Sequence, residues 1–340
     1  MEQLQTETRD SRTDRLNRRK RHHGRQPKGK TVLTPASDVT GIFEPLQRHG
    51  ILPSNYLDAF RAALVKHVNR NGLQKRLGNL YHENYGAYGV PALDRPAAQW
   101  ASPEADYQHI SYVLAEGGYR ALTKAGTRYE YASQADKGWY DHQHMTGCIT
   151  GSIELATLKH GTIYGDQEAI FTHEKCPQST RDMTRPIELV LGERTGFDRR
   201  TGRPKTVKHT IIPDQLFRIT YPPKNNVKIF ALETDCATED YETVYEKIRR
   251  WVTVLKEEIH TKQWGTPSLI VLIVTTNDAR MRKFMAFAKQ HAGQDAWLLE
   301  HLLFKAEPIF SGAWKVPPIL YGLYEEPWLR ADGSTFDISY

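Results

Sequence analysis

Residues Leu269 to Val274 read LIVLIV, apolar at every position, before the run closes on Thr275. Six or seven residues suit a strand and fall far short of the roughly 20 that a membrane helix needs. A strand that is apolar throughout, rather than at alternate positions, is buried on both faces and so sits centrally in its sheet. Around it the periodicity predicts helices over Asp141–His160, Tyr241–His260 and Ala279–His291, the second carrying a stripe of Val244, Ile248, Trp251, Leu255 and Ile259. Strand character marks 161–174, His209–Thr220 and Val227–Ala237, the last two joined by a turn at Tyr221–Asn226. Between them a polar, basic excursion runs from Pro177 to Lys208. The C-terminal segment has no clear period and reads as irregular packing with one or two edge strands. The expected class is α/β (α+β) with a mixed central sheet, and 340 residues suggest two domains.

The formal net charge of +6 is concentrated. Residues 1–30 hold ten Lys and Arg, among them Arg18, Arg19, Lys20 and Arg21, against four acids, and the rest of the chain is balanced. This segment has no apolar periodicity, so residues 1–38 read as a disordered basic arm, a tether for nucleic-acid phosphates. A solubilising tail with no partner is the alternative. Cys148, Cys176 and Cys236 are too few and too scattered for a disulfide framework or a zinc site. With no apolar leader, the expectation is a cytoplasmic protein associated with DNA.

Residues 39–132 predict three short helices followed by a hairpin. The helices are Val39–His49, one capped by Ser54, and one in which Leu73, Leu77, Leu80 and Tyr81 face inward while Arg70, Lys75 and Asn79 face outward. That order matches a winged helix-turn-helix, whose third helix enters the major groove of double-stranded DNA. A plain three-helix bundle that binds protein is the alternative. After a linker near Ser133–Gly138, residues 139–340 form the second expected domain.

Its order of helix, three strands, helix and strand is similar to the core of PD-(D/E)XK nucleases. In such a core, acids at neighbouring strand ends hold Mg²⁺ (or Mn²⁺), an ion that takes oxygen ligands and can generate a hydroxide nucleophile. The sequence offers Pro213-Asp214 in one strand and Glu233-Thr234-Asp235 in the next. Period-two alternation puts Glu233 and Asp235 on one face with Ile229 and Ala231. Asp214, Glu233 and Asp235 are therefore the candidate metal ligands. The usual pattern has Lys two residues after the Glu, where this chain has Asp235, and Lys247 on the next helix is the candidate substitute. Arg199, Arg200, Arg203 and Lys205, with Arg194, precede this hairpin and are candidate phosphate contacts. Acids in ordinary salt bridges at strand ends are the alternative. His142 and His144 lie two apart on a helix, point apart, and read as surface or core histidines rather than ligands. His209 is a candidate neighbour of the site. There is no Walker A, dinucleotide-binding or GxSxG pattern.

PDQLF, IFALETDCAT and YEKIRRW, following DHQH and the three-helix region, resemble the replication-relaxation family of plasmid and phage proteins over roughly residues 40–290. The resemblance implies DNA work in replication or relaxation, with replication proteins as further partners. It leaves two function classes: a metal-dependent deoxyribonuclease that nicks DNA, and a non-catalytic accessory or regulator that uses the same fold as a scaffold.

Overall fold

The computed structural model describes residues 25, 29–32, 35–65, 72–100, 109–124, 140–197, 203–222, 226–293, 295–311 and 316–340. In chain order the elements used below are α1 (Glu44–His49), β1 (Leu52–Pro53), α2 (Ser54–Leu64), α3 (Leu73–His82), β2 (Leu93–Asp94), β3 (Ser111–Leu114), α4 (Glu116–Lys124), α5 (Tyr140–His160), β4 (Ile163–Gly165) and α6 (Gln167–Phe171). They continue as β5 (Leu189–Phe197), β6 (Pro204–Ile211), β7 (Gln215–Tyr221), β8 (Asn226–Asp235), α7 (Tyr241–Lys256), α8 (Ile259–Trp264), β9 (Leu269–Thr275), α9 (Asp278–Ala292), β10 (Leu302–Ala306), β11 (Trp328–Arg330) and β12 (Thr335–Phe336).

The N-terminal lobe packs Ile42, Phe43, Leu46, Tyr56, Leu57, Phe60, Leu77 and Leu80 into one core. Three of its short strands lie in the order β1-β3-β2, antiparallel to one another. The expected arm boundary at residue 38 is too late. Val32 is buried, Thr31 and Val32 pair with Asn84 and Tyr85, and buried Asp38 is bridged by Arg76. Arg25 donates to Tyr81 O at 2.7 Å. Ser54 does not cap α2: the strand residue Pro53 runs straight into the helix, and Ser54 Oγ lies 3.1 Å from His109 Nδ1.

A seven-stranded mixed sheet of order β12-β11-β10-β9-β8-β7-β4 forms the larger lobe. β8, β9 and β10 are parallel, and antiparallel strands flank them on both sides. All seven residues of β9 are buried, as its composition dictates. Ile229, Ala231, Val271 and Ile273 pack against Ile248, Trp251, Leu255 and Phe284 of α7 and α9 on one face. Phe230, Leu232, Ile270 and Leu272 pack against Met145, Ile149 and Ile153 of α5 on the other.

Four expectations change. The 161–174 region is strand only at β4, because Asp166 accepts from the Ala169 amide at 3.2 Å and caps α6. The basic excursion is largely a hairpin of β5 and β6 with a bulge between Val190 and Gly192. The long helix divides at Glu258, whose φ of 51° ends one helix before α8 begins. The C-terminal region supplies three strands, and β10 lies inside the sheet beside β9.

α5 is apolar or small on nearly all sides and joins the two lobes. Cys148 and Leu155 belong to the N-terminal core, while Met145, Ile149, Ile153 and Ala156 belong to the sheet core. A Cβ on Gly147 would stand 2.4 Å from Ile51 O and 2.6 Å from His49 O, so glycine is what lets the lobe's backbone approach this closely. At the same interface buried Glu154 takes a bidentate contact from Arg48 at 2.8 and 2.9 Å, and His49 Nε2 lies 2.6 Å away. The expected division into linker-separated domains is therefore replaced by two lobes sharing a helix, and residues 133–138 lie outside the described ones.

Candidate functional site

The hairpin of β7 and β8 sets the site. Its register pairs Gln215 with Leu232, and the Asp214 amide donates to Leu232 O at 3.0 Å, which carries Asp214 to the level of Glu233. Asp214 Oδ2 accepts from the Thr234 amide at 2.6 Å, from Thr234 Oγ1 at 3.0 Å, and faces His142 Nε2 at 3.0 Å. Thr234 Oγ1 also lies 2.8 Å from Thr146 Oγ1, so α5 braces this corner twice. Burial pushes the Asp214 carboxyl up, but His142, Lys247 and the Thr234 amide together hold it below its ordinary range. His142 responds oppositely: burial opposes its charge, and Asp214 raises its pKa above the usual histidine value.

Glu233 points to the other face, towards α7, and is 6% exposed. Its Oε1 accepts from Trp251 Nε1 at 2.9 Å, while Oε2 is buried with no hydrogen-bond partner. Lys247 Nζ stands 3.8 Å from that oxygen and 3.2 Å from Glu239 Oε2. Burial and then the charge of Asp214 push the Glu233 carboxyl well above its ordinary pKa, while Lys247 and the Trp251 hydrogen bond pull the other way. Lys247 is raised despite burial, by Glu233, Asp214 and Glu239. A cavity of about 10 Å³, space for about one water, lies among Glu233, Glu239, Lys247 and Trp251.

Asp235 does not share this arrangement. Arg280 of α9 grips it with both Nε and Nη2, the latter at 2.9 Å, while Thr275 Oγ1 donates at 2.7 Å and the Ala237 amide at 3.1 Å. Every acceptor direction of the carboxylate is engaged, and the expected role of Asp235 as a third ligand is replaced by an internal ion pair. Among the described residues, no group of three His, Cys, Asp or Glu is arranged to hold a metal ion. Two carboxylates, Asp214 and Glu233, remain as the pair that could, with the unpartnered Glu233 Oε2 as the open acceptor.

His142 and Glu239 are the site residues that sequence reasoning passed over. The HxH spacing sends His142 to Asp214, whereas His144 is buried, stacked 5.5 Å from Tyr140. Only the separation of the two residues on their helix was readable, not the partner 72 positions away. Glu239 lies in the loop after β8 and carries no motif. His209 is 3.7 Å from Glu246 of α7 and takes no part in the site.

The basic candidates are dispersed. Lys75 is exposed and Asn79 half-exposed on the outward side of α3. Arg203 is exposed at the start of β6, and Lys205 and Arg194 lie in the strands of the β5–β6 hairpin. Arg18, Arg19, Lys20, Arg21, Arg70, Arg199 and Arg200 lie outside the described residues. No family model, curated protein or solved structure matches this chain.

Proposed function

We propose that the chain is a DNA-binding protein whose larger lobe acts on phosphodiesters at the Asp214–Glu233–Lys247 site. One observation carries the reading: a buried carboxylate oxygen, Glu233 Oε2, has no hydrogen-bond partner, yet faces a lysine beside a second strand-end acid. A buried, unpaired acceptor is costly in a protein that never fills the position. Two carboxylates with retained waters are the normal protein share of a Mg²⁺ site. Asp214 and Glu233 would hold Mg²⁺ or Mn²⁺, which when bound supplies charge to polarise a phosphate and acidify a water. Lys247 is in place to balance negative charge developing on the phosphate, in the role of the lysine missing at Asp235. The sheet order β4-β7-β8-β9, antiparallel then parallel, together with flanking α5 and α7, supports a PD-(D/E)XK-like fold.

The smaller lobe supports a winged helix. β1 lies between α1 and α2, β2 and β3 follow α3, β3 pairs with both β1 and β2, and α3 turns Lys75 outward. A second reading keeps the DNA binding without the chemistry, and the engagement of Asp235 by Arg280 favours it, since one acid of the expected set is withdrawn. Supercoiled plasmid, the substrate that the replication-relaxation resemblance points to, separates the two readings. The nuclease reading requires nicking that depends on Mg²⁺ or Mn²⁺ and disappears in Asp214→Asn, with Lys247→Ala retaining the metal-induced rise in melting temperature but not the nicking. A wild-type chain that binds DNA without either response is the accessory protein.

A further inference from the structure

A second cavity, of about 290 Å³, opens at the opposite end of the sheet, where β8 and β9 begin. Along β8 the step from Ile229 to Glu233 alone is about 13 Å, so the two sites are separate. Three basic side chains line it: Arg218 of β7, with His173 and Lys175 from the loop after α6. None of its lining residues is acidic, and among the described residues none of the three makes an ion pair. Arg218 is half-buried, and its cross-strand neighbours are Ile229 and Gly165, neither of which can offset its charge. Among the described residues no carboxylate meets this half-buried guanidinium, which leaves its donor fork open to an anion.

Two glycines build the arrangement. A Cβ on Gly165 would lie 2.9 Å from Arg218 Cγ and Nε, so the bare strand β4 gives the arginine its path. Gly265, at φ +71°, packs where a Cβ would meet Lys175 O at 1.9 Å, and this seats the 173–176 loop at the cavity. His173 Nδ1 accepts the Lys175 amide at 3.2 Å, which leaves the ring proton on Nε2 as a donor. Ile170, Val227 and Ile229 supply an apolar wall, and Thr266 and Ser268 add polar groups. The volume approaches that of small-molecule sites and exceeds what an isolated phosphate fills.

We propose that this cavity binds a phosphomonoester whose body offers both an apolar face and hydrogen-bonding groups, in chemical class a nucleoside monophosphate. The Arg218 fork and Lys175 take the dianion, as guanidinium and ammonium groups do for phosphate. The body lies on the aliphatic wall. The same chemistry is offered by a free nucleotide and by the phosphorylated end of a nucleic-acid strand.

Calorimetric titration of the full chain, in chelator so that divalent ions play no part, tests this with thymidine monophosphate, thymidine, and a dinucleotide with and without a 5′-phosphate. Saturable binding of the phosphorylated probes is expected, with thymidine and the unphosphorylated dinucleotide about tenfold weaker or worse. Tighter binding of the phosphorylated dinucleotide identifies the strand end as the source, and tighter binding of the mononucleotide identifies the free ligand. Arg218→Met, which keeps the aliphatic stem, should weaken binding about tenfold while its ligand-free melting temperature holds or rises. Glu233→Gln should bind as the wild type does. Absence of heat with every phosphorylated probe, undiminished binding by Arg218→Met, or loss of binding in Glu233→Gln overturns the proposal, the last because it would move the ligand to the other site.

Discussion

His142 Nε2 meets Asp214 Oδ2 at 3.0 Å, joining the first turn of α5 to the strand end that carries the candidate chemistry. The contact fixes one carboxylate oxygen and lowers the pKa of the acid while raising that of the histidine. Residues that orient a ligating carboxylate commonly cost ten- to hundredfold when removed. His142→Asn should lower metal-dependent plasmid nicking by about that factor and leave the melting temperature within a few degrees of wild type. Undiminished nicking would confine the histidine to packing.

Asp235 and Arg280 make a sharper stability test. Their side chains are 4% and 8% exposed, so removing one partner strands a buried charge. Arg280→Met should destabilise the fold by about 3–5 kcal/mol, read from urea unfolding. Adding Asp235→Asn should recover part of that loss. A single variant as stable as the wild type would mean that solvent reaches the pair.

Acid should weaken the protein earlier than its carboxylates alone would dictate. Burial holds His144 neutral down to about pH 3, against 6.5 for a free histidine. Between those values the unfolded chain binds the extra proton, so stability is complete above pH 6.5 and falls as the pH drops towards 3. The slope is about 1.4 kcal/mol per pH unit for this group. His49 and His260, also lowered by burial, act in the same direction. Urea midpoints at about pH 7 and about pH 5 should differ less for His144→Phe than for the wild type, by about one proton's share. Equal differences would show that His144 already titrates in the folded state.

DNA binding through α3 is testable without reference to chemistry. Lys75→Ala with Asn79→Ala should weaken duplex binding and lower its salt dependence by about one counterion, with no change in melting temperature, since neither side chain enters the core. Deleting residues 1–24 should lower the salt slope further. Unchanged affinity in both variants would make the lobe a protein-binding bundle.

What the sequence disclosed followed from periodicity. β9 spans Leu269–Thr275 as read, because an uninterrupted apolar run has one favourable placement in a layered sheet. That Asp214 stands at the level of Glu233 was also legible, since the antiparallel pairing of the two neighbouring strands sets their register. The partner of Asp235 was not legible, because alternation gives the face of a side chain and says nothing of what it meets: Arg280 arrives from a helix 45 residues later. β10 went unread for a related reason. LLFKA is too short to show a period, and only its place beside β9 makes it a strand. The β5–β6 hairpin was hidden by its charges, because its Arg, Lys and Gly residues leave little apolar alternation to read.

The helix α5, with one flank in each core, has a thermodynamic consequence. A helix whose unfolding would open both cores at once leaves neither lobe a free-standing remainder, so calorimetry should record one heat-absorption peak, its van't Hoff enthalpy equal to the calorimetric one. Fragments cut at the 125–139 segment should stay unfolded apart and regain structure only when mixed. For such a chain, recombination that exchanged the smaller lobe alone would break a shared wall, so its two halves are constrained to diverge together.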